Sequence, residues 1–274
     1  MIEDLVANAP SYLLVAARCF ALIMTIPLLS TRAVSRVAKV ALAGYIAYIA
    51  YPLAYAEIWQ TEQYQLAMGL FNGAFSLEYL LLLIGEVLIG IIVGLYITAI
   101  FAAFSSAGQF FTFQMGFGAS EVYDALSQIE NPLMGQYLNL IAMIVFLQIK
   151  GFQRLFLGGI FRSFGTINAF SLVAKQEHFV QFLLSTLSQL FFDAFLIALP
   201  IVGTLFLITV TMGILSKAAP QMNLLSEGLP ITILTAFFLL TILLPSMIDF
   251  FIQAFERAFY KLEQLLIIVG GVQL

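Results

Sequence analysis

The chain has 274 residues, of which 62% are hydrophobic and only 9% charged; a soluble domain carries about 25% charged residues, so this chain cannot clothe a water-facing surface, and its hydrophobicity excludes disorder. The 11 Lys and Arg against 15 Asp and Glu give a net charge of −4, which excludes a polybasic nucleic-acid surface. Cys19 and His178 are each the single residue of their kind, so an internal disulfide and a Cys-His zinc cluster are excluded and few Ser-His catalytic designs remain.

The acidic start, Met1-Ile2-Glu3-Asp4, lacks the basic region of a secretory leader, and the first basic residue, Arg18, lies inside the first apolar stretch. That stretch is expected to be retained. A membrane-spanning helix takes about 20 apolar residues. Residues 12–31, 37–56, 77–104 and 229–251 meet or approach that length; the first is interrupted by Arg18 and Pro27. Between the second and third lies a Gln-rich linker, 57–76, without Lys or Arg. A stretch rich in Gly, Ser, Gln and Phe, 105–135, reads as a loop, and 137–149 is apolar but too short to cross alone. Residues 150–178 read as a loop with Lys150, Arg154, Arg162 and Lys175, bounded by His178. The run 179–215 suffices for one kinked span plus an approach helix, or for a tight hairpin bent near Pro200. The fold class is an all-α membrane-type protein.

Basic residues gather in short loops on the cytoplasmic side. Arg32, Arg36 and Lys39 place the first loop inside, and the linker 57–76 then lies outside. If 137–149 also crossed, the four basic residues of 150–178 would end outside. The simplest resolution is that 105–149 folds back without spanning. Irregular backbone at membrane depth survives only inside protein or beside a water-filled path, so the middle of the chain is expected to meet a conduit or a partner.

Within 107–118, Gly108, Gln109, Phe110, Phe111, Phe113, Gln114, Met115 and Gly116 combine backbone freedom with bulky, pliable apolar contact. Such a segment suits either a displaceable seal or a loop packed permanently under its neighbours. Arg18, Glu78, Glu86, Asp193 and Asp249 lie in or beside apolar segments, where charge is costly and its presence asks for a reason. Pairing between helices or subunits accounts for them more simply than a proton path, because no titratable group follows Glu86 at helical spacing. Gly90 and Gly94 allow close helix approach. Pro220 ends a helix, and Gln221 and Asn223 can satisfy the backbone groups it frees. Motifs of intramembrane or serine hydrolases and of zinc proteases do not occur, and no internal repeat supports a small-solute transporter.

Gly85-Glu86-Val87-Leu88-Ile89-Gly90, Gln114-Met115-Gly116, Phe146-Leu147-Gln148-Ile149-Lys150-Gly151 and Gly213-Ile214-Leu215-Ser216-Lys217-Ala218-Ala219-Pro220-Gln221-Met222-Asn223 occur in this order. Together with Ala17-Arg18 and Pro27-Leu28-Leu29-Ser30, the set resembles the FliR/SctT/SpaR family of export-gate proteins across about residues 10–255. The family commonly has Arg where Lys217 stands and His where Phe152 stands. The resemblance implies long helices and helical hairpins in a hetero-oligomeric cone with FliP and FliQ subunits, with FlhB and FlhA as neighbours. It implies no enzyme activity, no cofactor and no nucleic acid, and unfolded export substrates as cargo. The implied site is the bacterial inner membrane, in the flagellar basal body or in an injectisome. It divides the chain into a FliP-like part, about 1–178, with a pore-plug loop at 105–135; a FliQ-like part, about 179–255; and a tail, 256–274. Gly108 to Gly116 would form the plug, and Arg18, Glu86, Gly90, Gly94, Lys217, Pro220, Gln221 and Asn223 would serve assembly.

Overall fold

The computed structural model describes residues 9–31, 34–58, 77–116, 133–219 and 224–270, and among them there is no strand. In chain order the helices are α1 (Ala9–Thr25), α2 (Pro27–Ser30), α3 (Arg36–Ile58), α4 (Leu77–Met115) and α5 (Leu133–Gln148). Then come α6 (Gly151–Arg154), a π-helical stretch Leu155–Phe161, α7 (Arg162–Thr166), α8 (Ala169–Ala174) and α9 (Gln176–Ala218). A second π-helical turn, Leu224–Gly228, leads into α10 (Leu229–Gly270). Four helices are long and apolar enough to cross a membrane, or five with the bent pair Leu133–Gln148 and Gly151–Thr166 counted as one span. The protein is an all-α membrane protein.

Several expectations change at the helix ends. Residues 12–31 are not one span, because Pro27 forces Ile26 into an extended conformation and starts a separate helix at its own N1 position. Residues 105–115 are not loop: α4 runs on to Met115 and stops where Gly116 takes φ +89°. An apolar helix loses nothing by continuing through Ser, Gln and Phe until a residue free to turn left-handed arrives. The remainder of the expected plug loop, 117–132, lies outside the described residues.

The basic stretch 150–178 is helical rather than a loop. Lys150 at φ 57° separates α5 from α6. Asn168 caps α8 through Ser171, each accepting a hydrogen bond from the other's backbone N–H. Pro200 neither bends a hairpin nor ends α9, which is one helix from Gln176 to Ala218. Apolar spanning helices accommodate proline in this way. Helix α10 takes in residues 256–270.

Internal contacts divide the chain into two compact units. The first comprises Met1–Ala99, Lys150–Thr186 and Glu256–Leu274; the second comprises Ile100–Ile149 and Leu187–Phe255. In the first, α1 packs along α3, where Tyr12 Oη donates to Gly44 O at 2.9 Å, and Tyr79 Oη donates to Pro10 O at 2.9 Å. Its core joins Ile89, Ile167, Phe179, Leu265, Leu266 and Val269. In the second, Phe101, Phe104, Phe146, Phe251 and Phe255 form an aromatic core with ring centroids 4.0–5.4 Å apart, largely at tilted or edge-on angles.

Candidate functional site

Two groups of the singled-out residues come together, one in each unit. In the first unit, Gly90 and Gly94 face α1. A Cβ on Gly90 would strike Arg18 O, and one on Gly94 would strike the Thr25 side chain. The missing side chains let α4 and α1 approach backbone to backbone. Thr98 Oγ1 then reaches Thr25 O at 2.7 Å.

This approach puts Arg18 beside Glu86. Arg18 is 1% exposed and Glu86 0%. Arg18 Nε and Nη2 both lie 2.6 Å from Glu86 Oε2. Nη1 donates to Ser163 Oγ at 3.0 Å and Nη2 to Ile167 O at 2.9 Å, while the guanidinium carbon lies 4.3 Å from the Phe164 ring centroid. Ser163 Oγ in turn donates to Ile160 O at 2.7 Å. One buried cation thus fastens α1 and α4 to both ends of α7. The knot is internal to this chain. A charge so placed is tolerable only with such full partnership, and losing one partner is far costlier than losing both. Ser163, Phe164 and Ile167 carried no signal in the sequence, because each meets Arg18 across about 145 residues of chain and none is unusual in a helix.

The first unit also secures helix ends with lysines. Lys39, 6% exposed, donates to Ser30 O and Thr31 O at 2.9 and 3.0 Å, and Lys175 Nζ donates to Val269 O at 2.8 Å near the end of α10. Arg162 pairs with Glu263 at the surface.

In the second unit, the segment Gly108 to Gly116 is the last part of α4 and its terminating turn. A Cβ on Gly108 would stand 2.5 Å from Met134 O and 2.6 Å from the Gly135 backbone, so α4 and α5 touch here through glycine on both sides. Gly116 abuts the Leu229 side chain, and Thr232 Oγ1 lies 3.5 Å from Met115 O. Phe111 and Met115 are 0% exposed, whereas Phe110 is 42% and Phe113 66% exposed. Gln109 and Gln114 are half-buried. The helix therefore splits the expected plug residues into an anchoring face and a free face, with Phe110 and Phe113 three residues apart on the latter.

Of the remaining assembly residues, Lys217 is exposed in the last turn of α9, and Pro220, Gln221 and Asn223 lie outside the described residues. Helix α9 stops at Ala218, two residues before that proline. His178 is exposed in the first turns of α9. Among the described residues no group of His, Cys, Asp and Glu could hold a metal ion.

The family model of the bacterial export proteins, family 1, matches residues 9–258. The chain is 29% identical to the flagellar biosynthetic protein FliR of Bacillus subtilis (strain 168), over 95% of this chain and 96% of that protein. It is 26% identical to FliR of Escherichia coli (strain K12), over 91% and 90% of the two chains. It is also 29% identical to the surface presentation of antigens protein SpaR of Shigella sonnei, over 59% of this chain and 61% of that protein.

Proposed function

The chain belongs to the bacterial export proteins, family 1, and from that membership we propose that it is a non-enzymatic core subunit of the flagellar type III protein export gate. The observation that carries this reading is the near full-length match to a flagellar relative. In this reading the chain sits in the bacterial inner membrane at the basal body, with FliP and FliQ subunits around it and FlhB and FlhA beside it. Unfolded flagellar proteins are the cargo. The FliP-like part, about 1–178, is followed by a FliQ-like part, about 179–255. The partial match to SpaR supports a second reading, the equivalent subunit of a virulence injectisome.

The segment Gly108 to Gly116 serves as the resting plug. Its glycines and its buried Phe111 and Met115 fix the helix end, and exposed Phe110 and Phe113 close the passage. Two large rings on one exposed helix face can be displaced by a passing chain without breaking the core beneath. The test is deletion of the gene followed by complementation. The wild-type chain restores swimming, and the pair Phe110→Ala and Phe113→Ala assembles normally but makes membranes leak ions. Met115→Ala is the contrasting control: it empties space in the core, costs about 2–5 kcal/mol of stability and lowers accumulation. Tight membranes with an assembled Phe110→Ala and Phe113→Ala variant refute the plug. Normal swimming in the deletion strain refutes the flagellar assignment.

A further inference from the structure

Between α6 and α7, within the first unit, the backbone runs as a π-helix over the 7 residues Leu155–Phe161. A π turn closes its hydrogen bonds over five residues instead of four, so it holds one residue more than an α turn. The buried positions show what that extra residue does. An α-helix advances about 100° per residue; counted from Gly151, an unbroken one would bring Leu155 to about 40°, Gly158 to about −20° and Arg162 to about 20°, all on one face. Ile160, Ser163 and Phe164 would stand at about 180°, 120° and 220°, turned away from it. The structure shows the opposite. Ile160, Ser163 and Phe164 are buried together with Gly151 and Leu155, whereas Gly158 and Arg162 are exposed. Leaving one residue after Leu155 out of the count moves Ile160, Ser163 and Phe164 to about 80°, 20° and 120°, and the buried positions then share a single face.

The residue left out is Gly158. In α geometry it would point inward, yet a Cβ on it would have nothing within 4 Å. Gly159 stands on the buried side instead, where a Cβ would lie 3.5 Å from Leu262 Cδ2. The shift decides which side chain meets the buried ion pair. Without it, Arg162 would take the bearing that Ser163 now has, and a second cation would face Arg18 and Glu86. Two buried cations with one carboxylate leave a charge uncompensated, which is strongly destabilising. With it, Ser163 Oγ accepts from Arg18 Nη1 at 3.0 Å, and Arg162 is left outside to pair with Glu263 of α10.

We infer that Gly158 is a one-residue insertion that sets the register of α7. The π stretch absorbs it so that neutral Ser163, and not Arg162, lies against the Arg18–Glu86 pair. Register, not packing, is the role of Gly158, and it is independent of the export function.

The test deletes Gly158 from the full chain. The stretch Gly151–Thr166 should then close into plain α-helix with its faces unchanged, and the chain should accumulate in membranes at the wild-type level. Deletion of Gly165, an exposed glycine beyond the π stretch, must instead pull either Ser163 or Ile167 away from Arg18. It should lower accumulation several-fold. Gly158→Ala, with open space for its methyl group, should accumulate normally. The facing of α7 is read directly in a Cys19→Ala background carrying Arg162→Cys and Glu263→Cys, which a short bis-maleimide should join equally well with and without Gly158. If the chain lacking Gly158 accumulates no better than the one lacking Gly165, the inserted-residue assignment is overturned. Normal accumulation with loss of the cross-link overturns it as well, because α7 has then turned. A several-fold loss for Gly158→Ala overturns the register role in favour of packing.

Discussion

Replacing one member of the Arg18–Glu86 pair should be worse than replacing both. Glu86→Leu leaves the buried Arg18 without its counter-charge, and Arg18→Met strands the buried Glu86 carboxylate. Each single change should cost about 3–5 kcal/mol. The double variant has no buried charge left. What remains is the Ile167 carbonyl without its 2.9 Å donor and the partly relieved Ser163 hydroxyl, worth about 1–3 kcal/mol together. The single losses sum to about 6–10 kcal/mol, so the coupling is at least about 3 kcal/mol, more than a hundredfold in the folded population. Glu86→Gln keeps an oxygen for Arg18 and should be milder than Glu86→Leu. Thermal midpoints of the detergent-solubilised protein, together with its accumulation in membranes, give the four corners of the cycle. Strictly additive losses would refute the argument, since they would mean the two charges are not each other's compensation.

Two further contrasts follow from the same geometry. Gly90→Ala puts a methyl group against Arg18 O and 2.9 Å from Ala21 Cβ, and should cost about 1–3 kcal/mol; Gly213→Ala meets open space and should gain up to about 1 kcal/mol of helix propensity. A lower thermal midpoint for Gly213→Ala than for Gly90→Ala would contradict the close approach of α1 and α4. The surface pair of Arg162 with Glu263 has both side chains nearly half exposed, so Glu263→Gln should change stability by no more than about 1 kcal/mol, an effect that fades in high salt.

The membrane class and most long helices were legible because apolar length is a local property. Residues 77–104 announced α4, and only its end was misjudged: a run of Ser, Gln and Phe looked like a loop, whereas termination waits for Gly116. Similarly, Pro27 broke the first segment as an extended residue before proline must, yet Pro200 left α9 whole. Composition does not distinguish these two prolines. Arg18 and Glu86 stood out as costly charges, but that they are partners 68 residues apart is a fact of tertiary packing. The opposite fates of Phe110 and Phe111 were equally invisible, because the helical phase of that segment had not been granted.

The first unit draws its core from segments far apart in the chain: Ile89 rests with Leu265 and Leu266, made some 175 residues later. A ribosome delivering this chain must therefore leave the earlier helices without their inner lining until residues 265–269 have emerged. Whatever shields those greasy surfaces meanwhile, whether insertase, lipid or a waiting neighbour, is needed until then. A message cut before Leu265 would spoil the earlier helices of this unit as surely as the later one.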